Sequence, residues 1–460
     1  MDPRDADESS KIIESAIHEA YGDNTTALTF DHLYSHASRL VQNNLGQKLY
    51  NGILTTMSSH INEMKRSIEQ AWSNNYLLFL QELTTNWTKH NKAFHMLKPV
   101  YMCMDTNCTP STHKFNVQEL GVQLWVDDVI YSGDIRRNVT SALLDMVQTE
   151  REDQAVNRDL LKSVLKMLMD LGESVYKEVF EEHFIQITQC VYKPQSEDMV
   201  ENHCCGYYLK ETEKYLNDEM ERISDYLDFE NDIARKSLAK MKKLLLVLTV
   251  TNQMTTLLDK GLITMIVGDM YDDLARMYNL FRRVPDGTAL IRDMMMCHVQ
   301  RTVYQLVVTN PENVKDTVSF VQRLLDEKDK YEKIIHLSYN DDVGFQTGLN
   351  FVFKYMVNWN PRIPVYISLF VDDTLRKSEN EDDVAIVLDK IMVFIGYLSK
   401  KDVFEEYYEK HMGKRLSSGV DKNVNEDAEK MMISKLKKEC GSRFTSKLEA
   451  MLSEMKTSQV

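Results

Sequence analysis

The chain of 460 residues is expected to be all-α, for three reasons. Glycine (16) and proline (8) are scarce, helix formers such as methionine (26) are abundant, and apolar residues recur at spacings of three and four. Hairpins and tight strand turns need Gly and Pro that this composition does not supply. A chain of this length exceeds one hydrophobic core and divides into several packed units. Hydrophobic residues make up 43% of it, enough to fold rather than stay extended.

The first helix is expected over residues 10–20, with Ile12, Ile13, Ala16, Ile17 and Ala20 on one stripe. Gly22 and Asn24 are its stop residues. Thr29 is a candidate N-cap for a second helix, residues 30–43, whose core stripe is Leu33, Ala37, Leu40 and Val41. Phe30, Tyr34 and Ser38 recur at i, i+4 and i+8 along a separate line. Two aromatics off the buried stripe suit a partner surface. Taken from the residues alone, packing against a neighbouring helix is the favoured alternative. Further helices are expected over 46–71, 75–97, 117–130 and 135–150, with 105–114 a polar loop.

From Ala155 the pattern restarts, with Leu161, Val164, Leu165, Leu168 and Leu171 in step before Gly172 interrupts. Helical patterns follow over 205–226 and 233–248. A third block begins near Thr251 and continues over 274–281, 288–308, 314–328 and 342–355; residues 364–370 close it. Residues 376–383 are the linker candidate. Beyond them Val384, Val387, Leu388, Ile391, Phe394, Ile395 and Leu398 open a separate amphipathic unit, and 417–427 reads as a loop before the last helices. Three blocks of similar length, each of about five helices, suggest an elongated α-solenoid. Its repeats are expected at 1–133, 134–250 and 251–375, followed by the linker and the start of a helical bundle at 384–460.

The charge balance excludes one large class of partner. With 70 acidic and 55 basic residues the formal charge is −15, the wrong sign for neutralising phosphates, so no nucleic-acid partner is expected. The basic clusters at 236–243 and 435–438 read as solvated helix faces. The longest apolar run, 244–250, is too short to cross a bilayer, so no membrane partner is expected. Seven cysteines, at 103, 108, 190, 204, 205, 297 and 440, include no CxxC pair, and reduced thiols in a cytoplasmic or nuclear setting are expected. The N-terminus is acidic and polar rather than a signal peptide, so the four Asn-x-Ser/Thr sequons are read as chance.

No catalytic, metal or cofactor constellation stands out. His18-Glu19 lacks the second histidine of a zincin helix, and 411–414 lacks the upstream glycine of a phosphate loop. A non-catalytic chain without cofactor or metal is therefore expected.

Several separated blocks carry a family resemblance. They are Leu28-Thr-Phe-Asp-His-Leu-Tyr-Ser-His-Ala37 with Gly46-Gln-Lys-Leu-Tyr50, then Leu274-Ala-Arg-Met-Tyr-Asn-Leu-Phe-Arg-Arg-Val-Pro-Asp-Gly287 and Tyr366-Ile-Ser-Leu-Phe-Val-Asp-Asp373. Last comes the stretch 401–451, from Lys401-Asp-Val-Phe-Glu-Glu-Tyr-Tyr408 to Phe444-Thr-Ser-Lys-Leu-Glu-Ala-Met451. In this order, over nearly the whole chain, they resemble the cullin family, most of all its cullin-3 type. The resemblance implies a three-repeat scaffold of a ubiquitin ligase complex, active in ubiquitin-dependent protein catabolism. It implies BTB-domain substrate receptors as direct partners, docked on the second helix of the first repeat. Carried over residue by residue, the contacts are Leu28, Thr29, Phe30, Asp31, Tyr34 and Ser38. For Phe30 and Tyr34 the resemblance turns the balance from packing to surface function.

The chain also departs from the family pattern. Ser38 stands where the family usually has a tyrosine, and Cys108 also replaces a tyrosine. With the first helix so close to Met1, the family's N-terminal extension is expected to be absent. Each departure removes apolar contact and is expected to weaken or redirect receptor choice. The region that holds a RING-box protein is expected beyond Val460, so that partner is implied only when such a region is supplied. Alternatives are a shortened decoy that sequesters receptors, and a helical tether that shares only the solenoid rhythm.

Overall fold

The structure, a computed structural model, describes residues 3–22, 29–73, 75–107, 117–228, 230–308, 314–377, 381–417 and 426–458. Among them every regular element is helical and none is a strand. The first helices are α1 (Pro3–Tyr21), α2 (Phe30–Gln42), α3 (Gly46–Trp72), α4 (Tyr76–Met96), α5 (Lys98–Asn107) and α6 (Val117–Trp125), the last running into a π turn at Val126–Ile130. Then come α7 (Ile135–Arg151), α8 (Arg158–Asp170), α9 (Glu173–Tyr176) with a π turn at Lys177–Glu181, α10 (Glu182–Asn202), α11 (Cys205–Tyr226) and α12 (Asp232–Thr249). Four short elements precede the next group: a 3-10 turn at Thr251–Gln253, α13 (Met254–Leu257), a π turn at Leu258–Leu262, and α14 (Ile263–Val267). That group is α15 (Tyr271–Phe281), α16 (Gly287–Val308), α17 (Val314–Ser338), α18 (Val343–Val357) and α19 (Ile363–Lys377). The remaining helices are α20 (Glu381–Tyr397), α21 (Lys401–Ser417), α22 (Glu426–Cys440) and α23 (Ser442–Ser458).

Several helices differ from their expected bounds, each for a physical reason. α1 begins at Pro3 rather than residue 10. Proline is tolerated in a first turn, Ala6, Ser9 and Ser10 are buried, and Asp7 pairs with Lys48 of α3. α17 runs ten residues past the expected end at 328. Its charged run hides a continuing stripe of Leu324, Leu325, Tyr331, Ile334 and Ile335, all buried. Of α5, residues 98–104 were expected in no element and 105–107 were expected as the start of a loop. The helix runs through Asn107, and the rest of the expected loop, 108–114, lies outside the described residues. α10 contains Pro194, which forgoes one backbone hydrogen bond. Phe184, Thr188, Tyr192, Ser196 and Met199 are buried along one side of it while Pro194 faces out, so burial overrides propensity. Of the expected linker, Arg376 and Lys377 belong to α19 and 381–383 to α20, while 378–380 lie outside the described residues. Of the loop expected at 417–427, 418–425 lie outside them too.

Packing divides the chain into two compact units, one of residues 1–196 and 214–248, the other of residues 197–213 and 249–460. The first unit holds two apolar clusters. One gathers Ile17, Leu33, Ala37, Ile53 and Val100 from α1, α2, α3 and α5. The other is built around Trp125, Leu143, Leu165, Tyr176 and Phe180. In the second unit α16 packs on α18, α19 on α17 and α21, and α20 and α23 on α22. There Arg415 is buried against Glu429, with Nε to Oε1 at 2.5 Å and Nη2 to Oε2 at 3.1 Å, and it also reaches Asp372. Tyr408 stacks beneath the guanidinium at 5.5 Å and donates its hydroxyl to Glu429 at 3.3 Å.

Candidate docking face on the second helix

Thr29 precedes α2 in extended backbone (φ −97, ψ 134), and its carbonyl accepts the first turn's bond from Leu33 N–H at 3.3 Å. Its hydroxyl does not cap the helix, so Thr29 fills the N-cap position by backbone alone. Asp31 lies in the first turn, where a carboxylate complements the helix dipole. Leu33, Ala37, Leu40 and Val41 are buried, as their spacing requires. The helix closes at Asn43, and Asn44 takes the left-handed conformation (φ 59) that turns the chain into α3.

At 100° per residue, Tyr34, Ser38 and Asp31 follow one another around α2 on one side of the buried stripe. Asp31 is exposed, Tyr34 is 39% exposed, and Ser38 is half-buried, its hydroxyl accepting from Gln42 Nε2 at 3.1 Å. Thr29 is exposed at the head of the helix. The backbone of Phe30 starts α2, but its side chain and all of Leu28 lie outside what is described, as does Cys108. The structure thus brings Asp31, Tyr34 and Ser38 onto one side of one helix, with Thr29 at its start.

The opposite flank of α2 is polar and carries histidines. The rings of His32 and His36 meet edge to face at 4.7 Å, and His36 Nδ1 lies 3.1 Å from Ser9 Oγ of α1. Burial, with the charges of His32 and Arg39, lowers the His36 pKa against the pull of Glu8. Two clefts open along this flank. One of about 410 Å³ is lined by Asp5, Glu8, His36 and Arg39, and one of about 200 Å³ by Ile12, Glu19, Thr29 and His32.

α5 packs directly on α2, with Val100, Cys103 and Met104 buried and Met102 exposed. Sequence reasoning missed this helix and its exposed methionine. The available signal was the 100, 103, 104 spacing, masked by Pro99 and the polar residues that follow.

Behind α1 a line of polar rings ties the first helices together. His18 Nδ1 and His60 Nε2 of α3 are 2.8 Å apart, and Tyr21 stacks on His60 at 4.5 Å. The Tyr21 hydroxyl lies 2.7 Å from His90 Nδ1, and His90 Nε2 lies 2.9 Å from the Gly121 carbonyl of α6. His90 is 1% exposed, and burial pushes its pKa down to about 4. That hydrogen-bonded series fixes α1 against α3, α4 and α6, and α2 rides on α1 and α3.

Chemistry elsewhere is subdued. Cys205 is partly buried and donates to the Leu257 carbonyl at 3.6 Å, and burial raises its thiol to about 12, the opposite of an activated nucleophile. Asn86, in one of the sequons, is buried and donates to Glu82. Among the described residues no group of three or more His, Cys, Asp and Glu side chains is placed to hold a metal, and no helix is long and apolar enough to cross a membrane.

Comparison with known proteins identifies the scaffold to which these helices correspond. The family model of the cullin alpha solenoid domain matches residues 10–460. Cullin-3B and Cullin-3A of Arabidopsis thaliana are each 45% identical, with 100% of this chain and 62% of their own lengths covered. Cullin-3 of Dictyostelium discoideum is 35% identical, with 98% of this chain and 58% of its own length covered. The chain thus spans less than two thirds of the length of these relatives.

Proposed function

The chain belongs to the cullin family, and from that premise we propose that it is a non-catalytic scaffold of a ubiquitin ligase complex. In this reading it takes BTB-domain substrate receptors on α2, through Leu28, Thr29, Phe30, Asp31, Tyr34 and Ser38. The observation that carries the reading is Tyr34, 39% exposed and aligned with exposed Asp31 and half-buried Ser38 on the side of α2 that adjoins its buried stripe. Sequence similarity to cullin-3 relatives adds support. A scaffold acts by position: helices hold a bound receptor at a fixed place and so raise the effective concentration of its substrate near a charged conjugating enzyme. The RING-box protein belongs to the same proposal, as the partner of a longer cullin's remaining region. The three repeats proposed here are 1–133, 134–250 and 251–375.

The test is receptor binding by titration calorimetry with a purified BTB domain. Substituting Phe30→Ala and Tyr34→Ala together should weaken binding at least ~100-fold if each ring contributes more than about 1.4 kcal/mol. Unchanged affinity with unchanged helicity would place the receptor elsewhere and overturn the assignment.

A further inference from the structure

α16 and α18 lie side by side and run in the same direction: Gly344 adjoins Arg292, Gly348 adjoins Met296, and Trp359 adjoins Tyr304. Beneath, Met295, Val299 and Val303 of α16 and Phe345, Leu349, Phe353 and Met356 of α18 fill the core. A second set of apolar residues is left outside it. Phe351, Tyr355 and Trp359 recur at i, i+4 and i+8 and are 69%, 50% and 54% exposed, and Tyr304 beside them is 44% exposed. The Trp359 ring meets Tyr355 at 6.0 Å and Tyr304 at 6.1 Å, so these three rings join in one patch, and Phe351 extends their line by one helical turn from Tyr355.

The patch is held in place before anything binds it. Asn358 donates to the Lys354 and Tyr397 carbonyls at 2.7 and 2.8 Å and accepts from Ser399 N–H at 2.8 Å. Asn360 donates to the Val307 carbonyl at 3.4 Å. Trp359 is thus fixed between two anchored residues, which lowers the ordering entropy lost on binding.

Its charge is also unusual for this molecule. The whole chain carries −15, yet residues 294–308 and 343–362 contain no Asp or Glu. Arg301, Lys354 and Arg362 stand exposed along these stretches, and none has an ion-pair partner among the described residues. Exposed Tyr and Trp with a basic rim match the composition of binding hot spots.

We propose that this face docks an acidic amphipathic helix of a partner protein, with apolar anchors on Tyr304, Phe351, Tyr355 and Trp359 and carboxylates toward Arg301, Lys354 and Arg362. The strip from Phe351 to Trp359 spans about 12 Å of helix, room for anchors spaced one to two turns apart. Charge selects this occupant. A second copy of the same face would set arginine and lysine against arginine and lysine across a two-fold axis. A nucleic acid would meet three cations on a chain that is otherwise acidic. The surface lies on different helices from α2 and goes beyond receptor docking.

The probe is a fluorescein-labelled 14-residue peptide with Leu and Trp at i, i+4 and i+7 and Glu at the remaining helical positions. A counterpart carries Lys in place of Glu. Anisotropy titration with the full chain should show the acidic peptide binding at least tenfold tighter than the lysine peptide. Phe351→Ser with Tyr355→Ser should weaken it at least tenfold, and Lys354→Glu with Arg362→Glu, which leaves the aromatics in place, should reverse the preference. Tyr34→Ala should leave it unchanged, which separates this face from α2. Equal binding of both peptides, or equal affinity for the wild-type chain and both variants, would overturn the proposal. So would a duplex oligonucleotide that displaces the peptide, or a dimer in sedimentation that the serine variant dissolves.

Discussion

The helices around α2 and the helices around α21 bury polar groups by different chemistry. Between α1, α3, α4 and α6 the polar series is made of imidazoles and a phenol, running from exposed His18 through half-buried His60 and Tyr21 to buried His90. Between α19, α21 and α22 it is a guanidinium held by two carboxylates, Arg415 with Glu429 and Asp372. Arginine stays protonated throughout the accessible pH range, whereas imidazole changes charge within it. Burial acts against the Arg415 cation, but the hydrogen bonds and charge of Glu429 outweigh it and raise its pKa. For His90 nothing outweighs burial, and the neutral ring is kept. The Arg415 cluster is therefore indifferent to mild acid and the His90 series feels it; beside the cluster, His411 of α21 lies 2.9 Å from Ser368 of α19 and burial lowers its pKa too.

Removing the cation should give the largest effect. Arg415→Met leaves Glu429, itself almost fully buried, without its charge partner, at a cost of about 3–5 kcal/mol. Lysine should not rescue it, because the two-pronged contact with Glu429 needs the planar fork. Urea unfolding followed by hydrogen exchange should show α21 and α22 losing protection while α1–α4 keep theirs. An unshifted midpoint would mean that the pair contributes nothing net.

The second break is acid. The folded-state pKa of His90 is about 4, below the value of about 6.5 for a free histidine, so the unfolded chain binds the extra proton. Stability from this group is complete above pH 6.5 and is lost as pH falls toward 4. The loss at pH 5 is about 2 kcal/mol. His60 is shifted in the same direction, by burial first and then by His18. Exchange in α4 measured at pH 7, 6 and 5 should quicken with each step, while exchange in α22, which has no histidine, changes less. His90→Gln, which keeps a donor and an acceptor, should flatten the α4 response; a slope that survives this variant would assign the pH dependence to another group.

Much of this fold was legible in the chain, and the exceptions have physical causes. The buried stripe of α2 and the separate line through Tyr34 could be read because polar residues set the two apart. The line Phe351, Tyr355, Trp359 has the same spacing yet went unmarked. α18 carries only a narrow polar stripe, Gln346, Asn350 and Lys354, and its apolar residues cover most of the rest, so the outward line does not stand apart from the buried one. α10 was hidden by Pro194, whose cost is overridden by a buried flank. The His18–His60 and Tyr21–His90 contacts join positions 42 and 69 residues apart. No local pattern encodes such a pairing, since it exists only once α1, α3 and α4 have packed. Of the candidate docking residues, Phe30, Tyr34 and Ser38 were readable from helical spacing alone, while Asp31 came with the family resemblance. Naming the class of partner needed the family resemblance.

A glycine-to-alanine pair sharpens the comparison at its finest scale. Gly413 lies inside α21, where an added methyl would meet only the Cε of Met451 at 3.4 Å, the far end of a flexible side chain. Alanine there should stabilise by about 0.5–1 kcal/mol, because the unfolded chain loses freedom while the helix loses no contact. Gly121 in α6 is the opposite case: a methyl would collide with the ring of Phe94, and the Gly121 carbonyl is the partner of His90. Alanine there must push α6 from α4, which costs about 1–3 kcal/mol. The same displacement draws the backbone carbonyl of residue 121 away from His90, weakening the bond that favours the protonated form, so the pKa should fall further. Thermal melts of the two single variants should therefore move in opposite directions. Stabilisation by Gly121→Ala would show that α6 can yield without disturbing the histidine series, and that this series is not what holds the helices around α2 together.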